Sequence, residues 1–250
     1  MQESEFKFSP SVLLWPLYFV LSLWFVFWIE VQFKVSLNNF GIFPRSFYGL
    51  RGVVFSPFLH TDIEHLFNNS IPLLFLIAAL RYFYRKVSFE ILVYGIICSG
   101  LGTWLIGRAN YHIGASGLIY VLASFIFFKG IQTRYFRLVA LSFTIVLVYG
   151  GMVWYMFPNE ELEISWEGHL SGFVVGFVFS ILYKSTEHHK QITYEWQKPD
   201  FDASKDPFLK HFDEQGNFIS SSKMRALEEE KWQYFISNLP VIYTYKETDK

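Results

Sequence analysis

Asn110-Tyr111-His112-Ile113-Gly114-Ala115-Ser116-Gly117-Leu118-Ile119-Tyr120 is a small-residue turn that opens an apolar helix and carries one serine. Its reading depends on what surrounds it. Of the 250 residues, 52% are hydrophobic, 21% aromatic and 17% charged, whereas soluble domains are nearer a quarter charged. The apolar excess is concentrated before residue 185 in six runs, at about 11–29, 64–80, 88–107, 116–128, 136–157 and 168–183. This pattern predicts an all-α polytopic membrane protein of six helices followed by an aqueous tail. The domain expectation is a short N-terminus (1–10), a six-helix domain (11–184) and a polar, aromatic tail (185–250).

Charge orients the spans. Arg81, Arg85 and Lys86 follow the second run, Lys129, Arg134 and Arg137 the fourth, and Lys184 the sixth. The positive-inside rule makes these points cytoplasmic. Glu160, Glu161, Glu163 and Glu167, without Lys or Arg among them, mark an external connection before the sixth run. Both termini are then cytoplasmic. Residues 30–62, rich in Phe and Tyr, are expected along the membrane interface. The fourth run, at about 13 residues, is short enough to require the preceding stretch to dip into the membrane. In the tail, turns are expected at Lys198-Pro199-Asp200 and Gln215-Gly216-Asn217, with a helix capped by Ser222 over about 223–238.

The net charge of −1 offers nothing to nucleic acid, and one cysteine, Cys98, permits neither an internal disulfide nor a zinc cluster. Cys98 reads as a packed thiol. Residues 1–9 are acidic rather than basic, so no cleavable signal peptide is expected. The absence of a transit peptide points to a bacterial plasma membrane.

Depth selects the residues that carry chemistry, because polar groups inside spans are costly and mark function by default. From Ser116 to Lys129 is roughly 20 Å of helix, from His169 to Lys184 roughly 22 Å, from Asn69 to Arg81 roughly 18 Å and from His65 to Arg81 roughly 24 Å. Three spans therefore deliver a serine, two histidines and an asparagine to one level below the outer surface. A serine hydroxyl needs a base to become nucleophilic, and His169 is the histidine at matching depth. Glu167 lies about 200° around the helix from His169, so a Ser116–His169 dyad is expected rather than a triad. Tyr120, one turn below Ser116, is placed to stack on the imidazole. His65 and Asn69, four apart on one face, are candidate oxyanion donors with backbone N–H groups near Ser116. Asn68 points away from that face, Pro72 is a candidate kink, and His112 is expected at the outer interface. Gly168, Gly172 and Gly176 form a small-residue face for close helix approach, and Gly114 and Gly117 leave room beside the serine. No His-Glu-x-x-His motif supports a metal site with His60, His65 and His169, and the chemistry calls for no cofactor and no metal.

Gly114-Ala115-Ser116-Gly117 with Tyr120, His65-Leu66-Phe67-Asn68-Asn69, and Gly168-His169-Leu170-Ser171-Gly172 with Gly176 together resemble the rhomboid family of intramembrane serine proteases, over about residues 11–184. His60 also falls where many members have a histidine, and Arg51 follows Leu50 where many carry Trp-Arg. The resemblance implies six-helix architecture, a Ser116–His169 dyad, an oxyanion site using His65 and Asn69, and cleavage of membrane-protein substrate helices near the outer face. The alternative is an inactive rhomboid-like protein that binds membrane helices.

Overall fold

The computed structural model describes residues 8–158, 164–183, 194, 196 and 198–233. Two compact units divide the chain, Met1–Gln191 and Ile192–Lys250. The first contains α1 (Ser11–Phe33), α2 (Ile63–Phe83), α3 (Ser88–Ile106), α4 (Ser116–Thr133), α5 (Phe136–Tyr149) and α6 (Trp166–Leu182). Gly150–Met156 continues α5 as a 3-10 helix. Five of these helices, counting α5 with its continuation, are long and apolar enough to cross a membrane; α6, at 17 residues, is shorter and also apolar. The described residues hold no β-strand, only isolated bridges, so the fold is the expected all-α, multi-span membrane architecture.

α4 is the central post. It packs against α2, α3, α5 and α6, while α1 packs on α2. Leu118, Ile119, Val121, Leu122 and Phe125 of α4 are buried, whereas Leu13, Phe25, Phe143 and Leu147 on the outer helices face outward. An apolar surroundings gives helices little hydrophobic reason to associate, so backbone proximity and polar links count for more. A Cβ on Gly172 or Gly176 would fall inside contact of the carbonyl oxygens of Gly117 and Val121, respectively. Serine hydroxyls add links at this close contact: Ser124 donates to the Phe173 carbonyl and Ser171 to the Ser99 carbonyl, each at 2.8 Å.

Several boundaries differ from expectation. α4 has 18 residues, not about 13. Lys129 does not end it, because its Nζ turns inward to the Ser180 carbonyl at 2.9 Å and is buried; the helix stops at Arg134, whose φ of 53° is left-handed. The short-helix argument for a dip before α4 thereby loses its basis. α5 tightens to a 3-10 helix at Gly150-Gly151 rather than remaining α-helical to Phe157. α2 continues through Pro72 without a break. Residues between α1 and α2 form short helical turns at Asn38–Phe40, Tyr48–Arg51, Gly52–Phe55 and Ser56–Phe58. Arg51 lies over the rings of Tyr48 and Phe40. Cys98 is partly buried against the core.

In the second unit, Asp213 accepts backbone N–H groups from Gln215 and Asn217, which closes a turn through Gly216 and pairs Phe212 with Phe218. The tail helix, α7, runs Ser221–Gln233. It begins near the expected place, with Ser220 rather than Ser222 accepting the Lys223 N–H. Glu160, Glu161, Glu163, Lys184 and the residues after Gln233 lie outside the described residues, so the charge and helix expectations that fall on them do too.

Candidate active site

Ser116 is the first residue of α4. Gly114, two positions earlier, has φ +105°, a conformation open to glycine and strained for other residues. That turn directs the Gly114 N–H onto the Ser56 carbonyl at 2.8 Å. His112 exchanges backbone hydrogen bonds with Ile42, both at 2.9 Å, so the segment between α1 and α2 supports the serine turn from one side.

The close packing of α4 and α6 carries His169 to Ser116, with Nε2 2.9 Å from the serine Oγ. Nδ1 is 2.9 Å from the carbonyl oxygen of Tyr155. A carbonyl can only accept, so Nδ1 carries the proton and Nε2 of the neutral ring presents its lone pair to the serine hydroxyl. The ring of Tyr120 stacks on the imidazole, with centroids 4.5 Å apart and planes 18° from parallel. Tyr120 Oη donates to the Met152 carbonyl at 2.6 Å. The 3-10 continuation of α5 thus holds the His169 ring directly, through Tyr155, and indirectly, through Tyr120.

His65 reaches the same place from α2. A Cβ on Gly114 would lie 2.7 Å from its Nε2, so that nitrogen faces the serine turn. Its Nδ1 is 3.2 Å from Thr61 Oγ1. Asp62 caps α2 by accepting the His65 backbone N–H at 2.8 Å, and this bond, first among its causes, holds the Asp62 carboxyl below its usual range. Asn69 is buried beneath, and its Nδ2 donates to the His65 carbonyl at 2.8 Å. That bond engages one of the two amide hydrogens. Asn68 is exposed, as its angular position predicts. His60 is buried beside His65, with ring centroids 5.0 Å apart. Neither of its nitrogens has a hydrogen-bond partner among the described residues. Burial, reinforced by His65, pushes its pKa down to about 4.

A cavity of about 30 Å³ adjoins Ser116, lined among others by Ser56, Ser99, Thr103, His112 and Ser165. Its lining mixes these polar groups with apolar side chains such as Ile42, Ile96 and Leu118, and it is large enough to admit water.

A family model of the rhomboid domain matches residues 48–186. Uncharacterized proteins of Mycobacterium tuberculosis (strain ATCC 25618 / H37Rv) and Mycobacterium bovis are each 36% identical over 179 residues, which cover 68% of this chain and 74% of each relative. One of Mycobacterium leprae is 33% identical over 179 residues, 68% of this chain and 70% of the relative. The chain belongs to the rhomboid family. The rhomboid match takes in Ser116, His169, His65 and Asn69, and it makes this chain a multi-pass protein of a lipid bilayer.

Four features of this rhomboid chain escaped sequence reasoning. His112 does not face the outer interface. It is buried, its Nδ1 meets Ser165 Oγ at 2.6 Å and its Nε2 meets the Arg108 carbonyl at 3.1 Å; with partners on both sides, the ring is held inward. Glu167 faces away from His169, as expected, but is not solvated: it is buried against Arg108. The Tyr155 carbonyl had no residue-type signal at all. Ser165 did have one, as a serine immediately before a helix containing an early glutamate, and it caps α6.

Proposed function

We propose that this rhomboid is an intramembrane serine endopeptidase that cleaves transmembrane segments of single-pass or polytopic membrane proteins. Ser116 Oγ attacks the scissile carbonyl while His169 Nε2 takes its proton. The resulting imidazolium keeps its Nδ1–H on the Tyr155 carbonyl, which fills the orienting place that a carboxylate holds in a triad. The free amide hydrogen of Asn69 and backbone N–H groups at the start of α4 stabilise the oxyanion, joined by His65 in the tautomer with its proton on Nε2, whose Nδ1 then accepts the Thr61 hydroxyl turned from Asp62. His169 then protonates the leaving amine, giving an acyl-enzyme, and next takes a proton from water as that water attacks the ester. The cavity beside Ser116 offers that water a place to enter.

The observation that carries the reading is the paired geometry of His169: 2.9 Å from Nε2 to Ser116 Oγ and 2.9 Å from Nδ1 to a group that can only accept. Structural histidines need partners, but not one arrangement that leaves a lone pair on a serine. A substrate helix must unwind to offer its carbonyl, so preferred substrates have helix-weakening residues near the cut and a small residue before it. With the arginine and lysine clusters on the cytoplasmic side, the site lies toward the outer face of a bacterial plasma membrane.

The test is a fluorophosphonate probe, together with a helix-destabilised single-span substrate, applied to detergent-solubilised protein. Labelling and cleavage are expected in the wild type and absent in Ser116→Ala and His169→Ala. Wild-type protein that neither labels nor cleaves several such substrates would instead support a binder of membrane helices.

A further inference from the structure

The stretch that delivers Ser116 and the helix that delivers His169 meet a second time. Arg108, two residues past α3, places both its backbone N–H and its Nε on one oxygen of Glu167, at 3.1 and 3.2 Å. Its guanidinium also donates to the Ile164 carbonyl just before α6. The Glu167 side chain is 1% exposed and the Arg108 side chain 47%. The other Glu167 oxygen is buried without a hydrogen-bond partner among the described residues, so Arg108 supplies the charge compensation visible there. His112 repeats the link, joining Ser165 Oγ at 2.6 Å to the Arg108 carbonyl at 3.1 Å.

We propose that Arg108 and Glu167 form a latch that sets the rotation of α6 and so positions His169 on Ser116. The proposal rests on the protease reading above. Its physical ground is the angular relation within the first turn of α6. Glu167 and His169 lie about 200° apart around the axis, so one is tethered to the serine stretch and the other bonds the serine from the opposite side. A helix held at one point can roll, and a helix held at two opposed points cannot. Side chains reach roughly 5–6 Å from the axis, so a roll of about 10° moves the imidazole by about 1 Å. A misplacement of that size costs on the order of a hundredfold in rate. Burying the Glu167 carboxylate is a costly choice for stability alone, since a well-packed apolar residue serves as well or better; its return here is the register of two segments. Arg108 and Glu167 are positioning residues and touch no substrate.

The test measures the saturation kinetics of fluorophosphonate labelling, kinact and KI separately, on full-length protein in detergent, with thermal unfolding recorded on the same samples. Glu167→Gln, Arg108→Gln and the double variant are compared with wild type below the unfolding range of each. The latch expects kinact lowered at least tenfold in Glu167→Gln, with KI within about twofold. The double variant should lose no more than the worse single variant, because one link is broken only once. Should Glu167→Gln fail to fold, Arg108→Gln, whose side chain is half exposed, carries the same expectation. Folded single variants with wild-type kinact, or strictly additive losses, would overturn the latch and leave the protease reading standing. An unlabelled wild type would overturn both.

Discussion

The carbonyl oxygen of Tyr155 lies 2.9 Å from Nδ1 of His169, and it is this backbone group, not a carboxylate, that selects the tautomer of the ring facing Ser116. The contact belongs to the main chain, so the Tyr155 side chain is dispensable to it. Tyr155→Ala is expected to keep labelling and cleavage within about threefold of wild type. A loss comparable to that of His169→Ala would show that the side chain, rather than the carbonyl, supports the base.

Tyr120 contributes two separable effects, a ring stacked on His169 and a hydroxyl on the Met152 carbonyl. Tyr120→Phe keeps the stack and gives up one hydrogen bond, about 1 kcal/mol, so kcat/KM should fall about fivefold. Tyr120→Ala loses both and should fall well beyond that. Equal losses in the two variants would contradict a role for the stack.

Gly114→Ala tests the turn before the serine. Its φ of +105° disfavours any Cβ, and that Cβ would sit 2.7 Å from His65 Nε2. Strain of about 1–3 kcal/mol is expected, with cleavage more impaired than thermal stability because the obstruction occupies the space assigned to the oxyanion. Activity kept in a folded Gly114→Ala would remove His65 from that role.

Gly172 and Gly151 make a matched pair. A Cβ at Gly172 meets the Gly117 carbonyl, while one at Gly151 meets nothing within 4 Å. Gly172→Ala should lower unfolding stability by about 1–3 kcal/mol, the usual cost of overpacking, and Gly151→Ala should leave it nearly unchanged. Thermal unfolding in detergent with a stability-matched readout of both variants decides it.

His60 makes stability depend on pH. Its folded pKa of about 4 lies below the ordinary 6.5, so the unfolded chain binds the proton more tightly. The full benefit of the neutral ring is therefore present above about pH 6.5, and it declines as pH falls toward about 4. The whole decline is about 3 kcal/mol for the shift to about 4. His60→Phe should flatten the pH dependence of unfolding between pH 4 and 6.5; an unchanged slope would place the titration elsewhere.

The apolar runs, and with them the all-α membrane fold, were legible because span length and hydropathy are local properties of the chain. So were the matching depths of Ser116, His169, His65 and Asn69 along their helices, since the rise of a helix converts residue counts into depth. The glycine spacing of α6 foretold its close approach to α4 for the same reason. Three matters were decided only by tertiary structure. Lys129, a stop signal by charge, became an interior residue of α4 because Ser180 on α6 offers it a carbonyl. His112 turned inward because Ser165 and Arg108 arrive on either side of its ring. Tyr155 supplies the partner of His169 Nδ1 through a carbonyl, a group every residue carries. Sequence names side chains and their spacing; which main-chain group stands opposite them is settled when distant helices pack.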